Sequence, residues 1–305
     1  MLTRKNSPPM EALALFWMLG QVGCLGAQPT SSLPEHLGLK PPGRVPEVFA
    51  PGIISGAGHR LHGSVVISPD TRVILWSVLP PAVMSVSIED GTWSDAEPLE
   101  LEGGGVQAPA FSPDGTRLYY QAVVEGGAGS LDIWWVPKEE DGWGSTESAG
   151  PAVNTENLES QPSLTGDGTL YLTGTREGTG FNRGIFRSRL QDGVYTRPEL
   201  LGGGINSESM DYCPWVALDE SFLLFASSRP QAEEHLFLHV SFRQEDGSWS
   251  RPENIHPAIG FQKEARFPSL SPDGRYLFFV AGDSAYWVDI APVMELRPGS
   301  RNEGR

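Results

Sequence analysis

The sequence predicts an all-β chain: a five-bladed β-propeller of four-stranded antiparallel blades, its last blade closed by an N-terminal strand. Three observations predict it. An aspartate-centred turn recurs five times along 305 residues, a D-G turn leading into an aromatic follows four of those turns, and a segment patterned like a fourth strand stands ahead of the first turn.

The recurring aspartates are Asp70, Asp114, Asp167, Asp219 and Asp273, spaced by 44, 53, 52 and 54 residues. Each is flanked by two short runs rich in aromatic and β-branched residues, as in VVISPDTRVILW and PSLSPDGRYLFFV, which is the signature of a hairpin. Ser112-Pro113-Asp114-Gly115 and Ser271-Pro272-Asp273-Gly274 fit a type I turn position by position. Serine bonds locally at the first position, proline presets φ at the second, and glycine tolerates the exit. Blade 1 has Thr71 in place of that glycine, and blade 4 reads Ala217-Leu218-Asp219-Glu220, so these two turns are degenerate.

The second landmark comprises Asp90-Gly91-Thr92-Trp93, Asp141-Gly142-Trp143, Asp192-Gly193-Val194-Tyr195 and Asp246-Gly247-Ser248-Trp249. D-G between strands favours a tight hairpin turn, and the aromatic can pack on a neighbouring sheet. Each repeat thus supplies the four strands of a propeller blade. Three repeats end in TESAGPAVNT, PELLGGGINS and PENIHPAIG, and the same pattern occurs as PEVFAPGIIS at 46–55, before the first hairpin. The last repeat stops at its third strand, Ser284–Ile290. Pairing these two segments closes the ring and removes exposed sheet edges.

FSPDGTRLYY and PSLSPDGRYLFFV resemble the WD40-like repeats of the bacterial periplasmic TolB-type propeller family, over roughly residues 46–292. The resemblance implies a protein-binding platform at the cell envelope; the blade count differs from the six usual in TolB itself.

The ends carry separate signals. Arg4 and Lys5 precede the apolar run ALALFWMLG and then Gln21-Val22-Gly23-Cys24, the layout of a secretory signal too short to span a bilayer. Residues 1–24 are read as a signal peptide with Cys24 as a candidate lipidation site, and cleavage after Ala27 as the competing reading. Residues 25–45 read as a Pro/Ser-rich linker, 46–295 as the propeller, and 296–305 as a disordered tail. Only Cys213 remains elsewhere, so no disulfide framework is expected.

A net charge of −16 argues against nucleic acid, which calls for clustered Lys and Arg. No G-x-S-x-G elbow and no G-K-[ST] loop occurs. His59 and His62 enter a strand and point to opposite faces; His235 and His239 share a face but lie about 13 Å apart. No metal, cofactor or catalytic residue is assigned.

The suggestive set is acidic. Glu159, Asp211 and Glu264 stand where the first strands of blades 3, 4 and 5 begin, a position that rings the channel on one face. The loops between second and third strands add Arg176 and Arg183 from blade 3 and Arg229 from blade 4. Tyr212, Trp215 and Phe181 nearby can stack on a sugar or simply pack. Two such carboxyls within about 5–10 Å would suit a glycosidic bond; paired instead with arginine they tie neighbouring blades together. Repetition favours the second.

The leading expectation is a non-catalytic, exported binding or scaffold module, periplasmic or at the envelope, with an envelope or surface protein as partner. Its contact with membrane would be through a lipid anchor at Cys24 alone. The alternative is a carbohydrate-active enzyme or glycan-binding lectin using the acidic rim.

Overall fold

The computed structural model describes residues 37–176, 183–229 and 235–299. Five antiparallel blades are present, each ordered from an innermost first strand to a short outermost fourth. The first strands are Arg60–Ile67, Gly104–Phe111, Glu159–Leu164, Asp211–Val216 and Arg266–Leu270. The second strands, such as Phe222–Ser227 (FLLFAS) and Tyr276–Ala281 (YLFFVA), are buried along their whole length. They lie between neighbouring blades on both faces, which is why they read as continuous rather than alternating apolar runs. The apolar core is accordingly a set of seams, blade 1 on blade 2, blade 2 on 3 and blade 3 on 4. A larger cluster joins blades 4, 5 and 1.

The predicted closure is present. Glu47–Val48 pairs antiparallel with Ser284–Asp289, Glu47 facing Trp287 and Val48 facing Tyr286. Phe49 then buries its ring against Phe278 and Trp287, at centroid distances of 4.9 and 5.2 Å. Ser55 Oγ accepts a hydrogen bond from the Ala285 amide at 3.0 Å. Asn154, Asn206 and His256 do the same for the Ile133, Ile185 and Leu238 amides in blades 2, 3 and 4. Three residue types at different offsets thus satisfy one recurring donor, which buried backbone requires.

The turns explain the repeated motif. Ser112 Oγ donates to Asp114 Oδ1 at 2.6 Å and accepts from the Arg117 amide at 2.9 Å, while Asp114 Oδ1 takes the Thr116 amide. Gly115 follows with φ +70°. The degenerate turns keep that left-handed residue without glycine, as Thr71 (φ +61°) and Glu220 (φ +55°).

Two boundaries shift from the sequence reading. The span 25–45 was expected to be an extended linker, but from Leu37 onward it is docked. Leu37 is buried, its carbonyl accepts the Trp93 indole N–H at 2.8 Å, and Gly43 O accepts the Asp289 amide. The apolar Leu37 side chain finds a place in the cluster around the closing blade, which the Pro/Ser composition hides. At the other end, the amides of Leu296 and Arg297 donate to the carbonyls of Val293 and Met294 in the short helix Ala291–Met294, and the Arg297 guanidinium lies over Phe242. The signal segment and Cys24 lie outside the described residues.

Candidate functional site

Two ends of the channel differ in make-up, and the first strands position both. At the end where those strands begin, Asp211 is fully buried. Its Oδ2 meets Arg176 at 3.2 Å and its Oδ1 meets Arg229 at 2.8 Å, with side-chain exposures of 12% and 15% for the two arginines. Ser227 Oγ and Ser207 Oγ donate to it at 2.6 and 2.8 Å, and the Ser207 amide at 2.5 Å. Arg176 also donates to the Ser207 and Ser209 carbonyls, and Arg229 to Ile205 O at 2.6 Å. Every lone pair of the carboxylate is taken by the chain itself.

The other predicted acids do not join it. Glu159 is buried at the equivalent position of blade 3, where Thr155 donates its amide at 2.9 Å and its hydroxyl at 2.6 Å. Burial pushes its carboxyl above the usual range. Glu159 borders a cavity of about 610 Å³ together with Arg176, Arg197 and the apolar Leu172, Phe186 and Leu200. Glu264 stands two residues ahead of its strand, half exposed, with His235 Nδ1 at 2.7 Å. The three acids are therefore three different environments. Arg183 opens the third strand of blade 3, and its charge, with that of Arg266, acts on the Tyr212 hydroxyl, which burial pushes up. Tyr212 is buried and offers no open ring face. Trp215, expected beside it, lies toward the opposite end of the strand, and Phe181 falls outside the described residues.

Between the two ends, each first strand except that of blade 1 carries a left-handed residue followed by proline: Ala108-Pro109, Gln161-Pro162, Cys213-Pro214 and Phe267-Pro268. Register slips beside each of them. The bulge turns an amide sideways onto the preceding blade. Ala108 N donates to Ser77 Oγ at 2.9 Å, Gln161 N to Gln121 Oε1 at 3.1 Å, and Cys213 N to Thr173 Oγ1 at 3.0 Å. The Phe267 amide bonds the Cys213 thiol, which burial holds well above the ordinary thiol range.

All four prolines line a cavity of about 420 Å³ at the end of the aspartate turns. Every blade contributes, and the lining is chiefly apolar: Val66, Phe111, Leu164, Trp215, Leu218, Leu270. Leu218 is 55% exposed. The carboxyls of Asp114, Asp167 and Asp219 at this end are held below the usual range by hydrogen bonds from Ser112, Thr165 and Ser221. At Asp70 burial opposes this, but Ser68, the Arg72 amide and Lys138 outweigh it. The sequence reading missed this mouth. Its legible signal is the proline five residues before each turn aspartate from blade 2 onward. Among the described residues no group of three or more His, Cys, Asp or Glu could hold a metal ion.

No family model matches the chain, and no curated protein does. Solved structures do. An endo-arabinase from Bacteroides thetaiotaomicron is 15% identical with a TM-score of 0.52, over 78% of this chain and 96% of that one. TolB from Acinetobacter baumannii is 16% identical with a TM-score of 0.47, over 73% of this chain and 53% of that one. The chain thus spans about half the length of that TolB. A Xanthomonas campestris gluconolactonase is 13% identical with a TM-score of 0.48, over 81% and 94%. At these identities the likeness shows the β-propeller fold alone.

Proposed function

We propose that this chain is a non-catalytic, exported β-propeller that binds a protein of the cell envelope or surface through the channel mouth at its aspartate turns. The observation that carries this reading is the mouth itself. Residues of all five blades converge on an apolar cavity, and a solvent-facing apolar patch rimmed by polar groups is the usual mark of a protein contact. The ionised turn aspartates select against acidic partners and steer basic ones. The carboxylate that an enzyme would need, Asp211, is already neutralised by two guanidiniums. Cys24 supplies the proposed lipid anchor.

The test is a photo-crosslinking residue placed at Leu218 or, as a control, at the exposed Val194. A discrete protein adduct from Leu218, absent from Val194 and lost with Trp215→Ala, supports the reading. Hydrolysis of a glycan panel that disappears in Asp211→Asn would overturn it. One observation favours a glycan-binding alternative: the cavity beside Glu159, where Thr155, Asn157 and Arg197 stand against apolar walls.

A further inference from the structure

We propose that the cleft between blades 1 and 2, on the same turn face, receives an arginine side chain of the partner; this rests on the mouth being the docking site. The chain carries its own template for the contact. In blade 4, Arg243 and Trp249 stand opposite each other across the outer strands. The Arg243 guanidinium lies 5.0 Å above the indole and 3.6 Å from the Glu220 carboxylate. Lys138 and Trp143 occupy the same register in blade 2. The equivalence is fixed independently, since the Arg243 amide bonds Ser221 O and the Lys138 amide bonds Thr116 O, each one residue past the left-handed position of the turn.

In blade 2 the cation has left the ring. Lys138 reaches across to Asp70 of blade 1 at 3.5 Å, and among the described residues no cation of the chain stands over Trp143. The half-buried indole, tilted against Phe111 at 6.2 Å, borders a cavity of about 460 Å³ instead. Four carboxylates share that cavity, Asp70, Asp114, Glu139 and Glu140, against the single ammonium of Lys138. Aromatic face, excess carboxylate and depth are the requirements of a guanidinium, which stacks on a ring while its edge bonds an oxygen pair. Other D-G aromatics are already engaged. Trp93 donates to Leu37 O at 2.8 Å, and Tyr195 is buried on Tyr119 at 3.1 Å.

Position links the cleft to the mouth. Phe111 and Pro69 line both cavities, so a segment with an apolar side chain at the mouth can set a neighbouring arginine on Trp143.

The test titrates N-acetyl-arginine amide into the isotope-labelled full chain and follows the Trp143 indole N–H resonance, assigned by Trp143→Phe. A saturable shift is expected, weakened about tenfold when Asp114→Asn, Glu139→Gln and Glu140→Gln are combined. Asparagine keeps the Oδ1 acceptor of the turn, and unchanged dispersion of the remaining spectrum certifies the fold. N-acetyl-citrulline amide, with the same shape and no charge, should leave the resonance in place. An equal response to citrulline, a response that survives the triple variant, or no response to arginine overturns the inference. If the Leu218 adduct persists while arginine fails to bind, the cleft assignment alone is wrong; if arginine binds but the adduct is absent, the docking reading is wrong.

Discussion

Where the first strands begin, Asp211 is enclosed by two guanidiniums and three serine donors, all from its own chain. Toward the opposite end of the same strand and just past it, Trp215 and Leu218 face a cavity that the described residues leave open. The polar groups of the first face hold blade 3 to blade 4, since Arg176 comes from one and Arg229 from the other. The apolar groups of the second face pack into the seams on their inner side, as Leu164 and Leu270 do, while Leu218 stays 55% exposed at the cavity. A residue that looks reactive in sequence is thus consumed by architecture, whereas Trp215 and Leu218, which read as core, border an open cavity.

The largest expected effect tests the closed face. Asp211→Ala removes the one carboxylate that two mostly buried guanidiniums share and should cost about 3–5 kcal/mol in urea unfolding. A loss under about 1 kcal/mol would break the comparison, because the face would then not depend on its internal pairing. Acid should act next, and close to the same site. His239 is pushed down to about 4 by burial and by Arg229, and His256 to about 4 by burial and by His239. Both are neutral in the fold and bind protons more readily unfolded. Their contribution is therefore full above the unfolded value near 6.5 and is lost as pH falls toward 4, up to roughly 3 kcal/mol each. Melting temperatures measured from pH 7 to 4 should fall, and His256→Gln should flatten the slope.

On the turn face the effects should be smaller. Gly274→Ala forces a Cβ onto φ +69°, with no neighbour within 4 Å to clash, so the cost is conformational, about 1 kcal/mol by melting. Leu218→Asp should change stability by less than about 0.5 kcal/mol while abolishing the crosslinked adduct. A large destabilisation there would show that the mouth belongs to the core after all.

Much of this was readable in advance because a repeat states its own alignment. Five aspartates and four D-G turns define blade and register together, and the displaced PEVFAPGIIS segment announces the closure that Glu47–Val48 makes with Ser284–Asp289. The docking of Leu37 was not readable, because a few leucines scattered among prolines and serines give no periodic signal. Neither was the unlike fate of Glu159, Asp211 and Glu264. Glu264 is one residue out of step with the other two when counted from the turn aspartate, a difference that matters only once a strand fixes which way each side chain points.

The sequence by itself determined the strands, their order, the blade count and the place where the ring closes, because alternation, turn chemistry and spacing are local properties. Tertiary structure alone decided which carboxylates find an arginine, which aromatics are covered and which end of the channel stays apolar and open. Those outcomes depend on contacts between neighbouring blades, such as Asp211 with Arg176 and Cys213 N with Thr173, 35 and 40 residues apart in the chain. No short stretch of chain encodes a partner that it meets only across a seam.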